Sequence, residues 1–248
     1  MNFITRTISK EGMLPEENED AFLFSESNLI FAIADGATES SFSKHWANLL
    51  VEDFVYKHES YLTNNAIMPS EKMRVFLEEK ISTKKLPWYA EEKIKMGASA
   101  AFLGIEFNQI AESMDFEWRA CAVGDCNLFI IRNNRMELAF PLVNSKEFST
   151  RPTLINSAIE FQDQKKNHFK NSQGNLIRED VLFLMTDAIA KWFLERIEKI
   201  EVNPEAENPL NTIELMISSE ENFEKMVGQL REYKELRNDD TTIVKVSF

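Results

Sequence analysis

Two short segments of the chain are apolar without interruption, Leu29-Ile30-Phe31-Ala32-Ile33-Ala34 and Val181-Leu182-Phe183-Leu184-Met185, the second continuing into Thr186. A strand with one face in solvent alternates, so a run without alternation predicts a strand buried on both faces. Each run ends on an acidic residue, Asp35 and Asp187. Looser alternation predicts strands over 2–8 and 21–25. An antiparallel meander is predicted over 98–107, 116–123, 127–132 and 135–140, with Gly124-Asp125 before its third strand and Asn133-Asn134 in a turn, and a closing strand over 241–246. Helical spacing of Phe42, Trp46, Leu49, Leu50 and Phe54 predicts a helix capped by Ser40 or Ser41. Further helices are predicted over 70–82, with Met73, Phe76, Leu77 and Ile81 inward, and over 188–200, 205–217 and 221–236. Residues 144–180 are polar and irregular and read as a long surface excursion. Successive strands without intervening helices, with helices grouped elsewhere, indicate an α+β sandwich rather than βαβ units.

With 248 residues, 44% of them hydrophobic and 19 of them phenylalanine, the chain can bury a substantial core. No linker or repeat marks a boundary, so one domain over 1–248 is expected. A formal net charge of −13 argues against nucleic acid or an anionic membrane as partner. Met1–Lys10 lacks a signal-peptide core and no apolar stretch is long enough to span a bilayer, so a cytoplasmic location is expected. Cys121 and Cys126 have no zinc or redox spacing and read as buried thiols; His45, His58 and His168 are scattered and read as structural or surface residues.

The candidate chemistry lies in the acidic residues at strand ends: Asp35, Asp125 and Asp187 after apolar runs, and the pairs Glu19-Asp20 and Asp239-Asp240 before strands. A lone aspartate at a strand end is usually a turn residue bonding local amides. Five coincidences in strands of one layered core point instead to carboxylates converging at one edge. Oxygen ligands with few imidazole or thiolate partners suit hard cations such as Mg²⁺ and Mn²⁺, which would also compensate the repulsion.

The ordered series Glu17-Asn18-Glu19-Asp20-Ala21-Phe22, Ile33-Ala34-Asp35-Gly36, Gly97-Ala98-Ser99-Ala100, Ala122-Val123-Gly124-Asp125, Leu184-Met185-Thr186-Asp187 and Asn238-Asp239-Asp240-Thr241-Thr242-Ile243-Val244 resembles the metal-dependent serine/threonine protein phosphatases of type 2C. Phe148–Ser157, with Thr150-Arg151-Pro152, is similar to bacterial members. The resemblance implies a four-layer α-β-β-α sandwich, two antiparallel sheets flanked by helix pairs, with a two-cation centre of Mn²⁺ or Mg²⁺ in a cleft at one end. By position it implies that Asp35 bridges both cations, that the Gly36 carbonyl serves one, and that Asp187 and Asp239 hold the other; these three aspartates are the expected catalytic residues. Glu19 and Asp20 would act directly or through water, and Asp125 would hold a third, weaker cation. Water activated between two such cations attacks phosphorus in line, without a protein nucleophile. The implied partners are a phosphorylated Ser/Thr protein and a cognate kinase, for a monomeric signalling enzyme.

The chain departs from the family's pattern in three places. Ala37 stands where some relatives have a histidine, Thr186-Asp187-Ala188 replaces Ser-Asp-Gly, and Met13-Leu14-Pro15 occupies the region of a phosphate-gripping arginine, for which Arg6, Lys10 or Arg151 could substitute. A second reading is therefore a non-catalytic module of the same fold that binds phosphoproteins or regulates; retention of every acidic ligand position favours the enzyme. A third, a receiver-like or haloacid-dehalogenase-like domain, is disfavoured by the consecutive strands of 97–140.

Overall fold

The computed structural model describes residues 1–82, 88–110, 115–158 and 169–248, apart from the side chains of 81, 82 and 88–91. Its strands are β1 (Asn2–Ile8), β2 (Asp20–Ser25), β3 (Ile30–Gly36), β4 (Ser99–Gln109), β5 (Phe116–Val123), β6 (Asn127–Arg132), β7 (Arg135–Phe140), β8 (Ile155–Asn156), β9 (Lys170–Leu176), β10 (Val181–Met185) and β11 (Thr241–Ser247). Helices α1 (Ser43–Leu62), α2 (Ser70–Ser82) and α3 (Trp88–Lys95) follow β3, and α4 (Asp187–Val202), α5 (Pro209–Ile217) and α6 (Glu220–Glu232) follow β10. One sheet has the order β1-β11-β10-β6-β7 and the other β2-β3-β4-β5-β9, with β8 added beside β4; all pairings are antiparallel.

The unbroken apolar runs form strands because each strand serves two cores. On β3, Phe31 and Ile33 face the layer between the sheets, while Ile30, Ala32 and Ala34 face α1. On β10, Leu182 and Leu184 enter the same central layer, while Phe183 and Met185 pack under α4, α5 and α6. Three apolar layers between four structural layers result, as expected of an α-β-β-α sandwich. Gly104 of β4 belongs to the α1 interface: a Cβ there would stand 2.5–2.7 Å from ring atoms of Phe54, whose side chain is fully buried. Gly104→Ala is therefore expected to cost about 1–3 kcal/mol by overpacking. A denaturant midpoint equal to the parent's would show that the Phe54 ring gives way freely.

Several expectations are corrected. The stretch 98–140 is not one meander: β5 pairs with β4 and β9, β6 with β10 and β7, so the chain changes sheets at Gly124-Asp125. Gly124 makes this crossing at φ +94, where a Cβ would meet Ala101 at 2.6 Å. The excursion 144–180 contributes an edge strand, β9, whose polar sequence hid it; residues 159–168, including His168, lie outside the description. Helix α3 was not anticipated. Neither Ser40 nor Ser41 caps α1. Its N-cap is Phe42, in the left-handed region at φ 62 and exposed rather than inward, while Ser40 Oγ bonds Ala37 O and accepts from Ser99 N. On α2, Met73 is buried and Phe76 and Leu77 pack beside it; the Ile81 side chain lies outside the description. Cys121 and Cys126 are buried free thiols.

Candidate functional site

Antiparallel register sets Asp20 of β2 directly opposite Asp35 of β3 at one end of their sheet. The other sheet contributes Thr186, just past β10, and Thr242 of β11, whose hydroxyls donate to Asp20 Oδ2 at 3.0 and 2.6 Å. Asp20 thus joins the two sheets at this end. Its other oxygen, Oδ1, is buried with no hydrogen-bond partner. Asp187, the first residue of α4, sits where the helix N-terminus favours a carboxylate. Its Oδ2 accepts from Arg237, and its Oδ1 is likewise buried and unpartnered.

Electrostatics tie the remaining aspartates to the same place. Burial, followed by the charges of Asp20, Asp187, Asp239 and Asp125, holds the Asp35 carboxyl well above the usual range. Burial also raises Asp20, abetted by Asp240 and Asp187 and opposed by the threonine hydroxyls. Asp125, in the crossing after Gly124, is pushed up to about 7 by burial and then Asp187, against the relief offered by Arg237. Asp187 is raised by burial although Arg237 pulls the other way.

Glu19 differs from these. Its carboxylate takes Ser43 Oγ at the start of α1, Thr38 Oγ1 at 2.7 Å and Lys10 Nζ at 3.1 Å, so it is already well supplied with donors. Gly36 N donates to Glu19 O, and a Cβ on Gly36 would lie 2.9 Å from that oxygen and from the Ser43 carbonyl carbon; only glycine permits this close approach of β3, Glu19 and α1. Asp240, the partner of Asp239 in sequence, is a scaffold: buried, it accepts from Lys10 N at 2.8 Å and Glu19 N at 2.7 Å, fixing the segments that lead into β2.

Sequence reasoning missed Arg237. Its Nη2 donates to both Asp187 Oδ2 and Asp239 Oδ2, the latter at 2.5 Å, while Asp239 Oδ1 accepts from Asp240 N. The usable signal was a basic residue two positions before Asp239, among carboxylates in need of a counter-charge. Of the three proposed substitutes for the absent arginine, Lys10 lies on Glu19 and Arg151 lines a cleft with Asp125, whereas Arg6 bonds Thr5 O on its own strand.

Two clefts flank the acidic group. One, of about 520 Å³, is lined by Asp187, Ala188, Lys191, Trp192 and Arg237; the other, of about 430 Å³, by Gly124, Asp125, Glu147, Arg151 and Lys170. Ser149 lines both, so the start of the 144–180 segment runs between them. The donor set fits divalent cations: all oxygen, largely buried, mutually repelling, with two oxygens left orphaned. The oxygens are nonetheless spread out. Among the described residues, the group of three with candidate ligand atoms all within 4.8 Å is instead His58, Glu59 and Glu106. There Arg119 bridges both glutamates and His58 Nε2 lies 3.3 Å from the buried Glu106, so these carboxylates already have a counter-charge. His45 stacks on Phe76, a packing role.

Comparison with protein-family models and with curated proteins gives no match. Solved structures do match. The Mycobacterium tuberculosis serine/threonine phosphatase PstP/Ppp aligns with TM-score 0.59 at 9% identity, covering 100% of this chain and 98% of that one. PppA, described as a key regulatory component of the type VI secretion system in Pseudomonas aeruginosa, aligns with TM-score 0.54 at 16% identity over 100% and 99%. The catalytic domain of PstP in complex with two manganese ions aligns with TM-score 0.52 at 11% identity over 99% and 97%. The chain thus has the fold of the type 2C phosphatases. No helix among the described residues is long and apolar enough to cross a membrane.

Proposed function

We propose that this chain is a metal-dependent serine/threonine phosphoprotein phosphatase of the type 2C family and of the bacterial kind, a single cytoplasmic domain hydrolysing phosphomonoesters. The observation that carries the reading is the pair of orphaned buried oxygens, Asp20 Oδ1 and Asp187 Oδ1, within a group of aspartates whose charges oppose one another. Buried carboxylate oxygens without donors call for a cation. Asp35, with the Gly36 carbonyl, would serve a first ion, Asp187 and Asp239 a second, and Asp125 a weaker third; Asp20 and Glu19 would act directly or through water. Bound Mn²⁺ or Mg²⁺ supplies an activated water and neutralises phosphoryl charge. The rest falls to the protein. Thr186 and Thr242 orient Asp20, Asp240 holds the backbone of Glu19, and Lys10 and Thr38 fix the Glu19 carboxylate.

Purified protein with Mn²⁺ is expected to release phosphate from a phosphothreonine peptide and from a small aryl phosphate, and to stop when chelator is added. Cation binding without any turnover on either substrate would favour the non-catalytic module, a reading to which Arg237 seated on Asp187 and Asp239 lends some support.

Substrate choice is expected to reside in the segment around Ser149 and Arg151, which borders both clefts. Replacing residues 147–153 with a short turn should change the ranking of phosphopeptides several-fold in kcat/KM while largely sparing the aryl phosphate, a difference of order 1 kcal/mol. An unaltered peptide ranking would remove this segment from specificity.

A further inference from the structure

Arg237 is the described cation that touches two of the proposed metal ligands at once. One guanidinium nitrogen bonds Asp187 Oδ2 and Asp239 Oδ2, while about half of the side chain, 53%, stays exposed in the larger cleft. These carboxylates are the ones assigned to the second cation under the proposed function, on which this inference rests. Asp187 keeps Oδ1 unpartnered, but Asp239 Oδ1 is taken by Asp240 N, so an ion held by both aspartates needs Asp239 Oδ2, the oxygen on which the guanidinium sits, and two cations on one carboxylate oxygen repel. Loading must therefore displace the guanidinium. The freed side chain remains anchored at Arg237, two residues before Asp239, with the open cleft as its nearest solvent. That places a planar, permanently charged fork beside the ligands where a phosphate ester would bind, and such a fork matches phosphoryl oxygens. The chain carries no arginine over Met13–Pro15 to do this, and Lys10 is engaged by Glu19 and Thr38.

We propose that Arg237 is a displaceable counter-ion: it neutralises Asp187 and Asp239 until a cation takes them, and then positions the substrate's phosphoryl group. Two consequences have opposite signs. Removing the guanidinium strengthens metal binding, because nothing has to be displaced; it weakens phosphate binding, because the fork is gone.

The test compares wild type, Arg237→Gln and Arg237→Lys. Calorimetric titration with Mn²⁺ alone is expected to show Arg237→Gln binding the weaker of its ions about tenfold tighter than wild type, with Arg237→Lys between them. Inorganic phosphate, titrated into protein saturated with Mn²⁺, should bind Arg237→Gln about tenfold more weakly. KM for an aryl phosphate should rise with it, by more than kcat falls. Equal or weaker Mn²⁺ binding in Arg237→Gln overturns the counter-ion role, and unchanged phosphate affinity overturns the positioning role; either result ends the proposal. If no variant, wild type included, binds Mn²⁺, the metal-centre reading itself fails, an outcome distinct from both.

Discussion

Asp35→Asn is expected to lower Mn²⁺-dependent hydrolysis of a small aryl phosphate about a thousandfold, the order expected when several kcal/mol of transition-state charge stabilisation are removed. The same variant should be more stable than the parent in chelator. Asp35 sits opposite Asp20 across β2 and β3, and its charge is opposed by burial and by Asp20, Asp187, Asp239 and Asp125. Asparagine keeps the shape and deletes the repulsion. A relief of about 1 kcal/mol corresponds to a rise of about 2–4 °C in unfolding midpoint for a chain of this size. With saturating Mn²⁺ the order should reverse, because the parent gains binding free energy that the variant largely lacks. Parent-like turnover, or a variant less stable in chelator, would remove Asp35 from the metal centre.

The second large effect is on pH dependence. The Asp125 carboxyl, raised to about 7 by burial and the charge of Asp187, has an ordinary value of 3.8. The folded state therefore holds its proton more tightly than the unfolded state. Below 3.8 both forms are protonated and the group is neutral to stability; as pH rises from 3.8 to about 7, folding loses stability. The loss attributable to this one group is about 4 kcal/mol as an upper figure, and Asp20, Asp35 and Asp187 shift in the same direction. In chelator, unfolding followed from pH 4 to 8 should show a decline that Asp125→Asn flattens. Saturating Mn²⁺ should abolish most of the decline, since the cation replaces the protons. A parent profile that rises through this window would show that the aspartates are stabilised by partners rather than strained by one another.

Much of the architecture was legible because the strands that carry the site are buried on both faces. Leu29–Ala34 and Val181–Met185 announce themselves by lacking alternation, and the acidic residue that ends each run marks the edge of the core. Polar β9 gave no such signal: an edge strand with one neighbour can be Lys-Asn-Ser-Gln-Gly-Asn-Leu, and Gly174 is needed chiefly to pass beneath Trp118. Pairing across sheets was equally hidden, since periodicity reports which faces are buried and not which strand lies alongside; β5 and β6 look alike and belong to different sheets. Local chemistry also misled at α1, where Ser40 satisfies a loop rather than the helix.

At the site, sequence order identified which aspartates to consider but not how each is used. Asp239 and Asp240 are adjacent and identical in type, yet Asp239 faces Arg237 while Asp240 is consumed by the amides of Lys10 and Glu19. Both precede β11, in the turn that leads into it, and only the path of that turn says which one meets Arg237. Arg237 escaped notice because one basic residue among many charged ones on a surface run carries no periodic or motif signature; its meaning comes from what it touches.

The proposed function stands on the aspartates at the shared end of the two sheets forming a metal centre. The most direct test is anomalous diffraction from crystals of the protein grown with Mn²⁺. Strong peaks are expected, bracketed by Asp35, Asp187 and Asp239, near Asp20, with the Arg237 side chain turned away from them. Peaks confined to His58, Glu59 and Glu106, or no peak near Asp35 and Asp187 at saturating Mn²⁺, would contradict it.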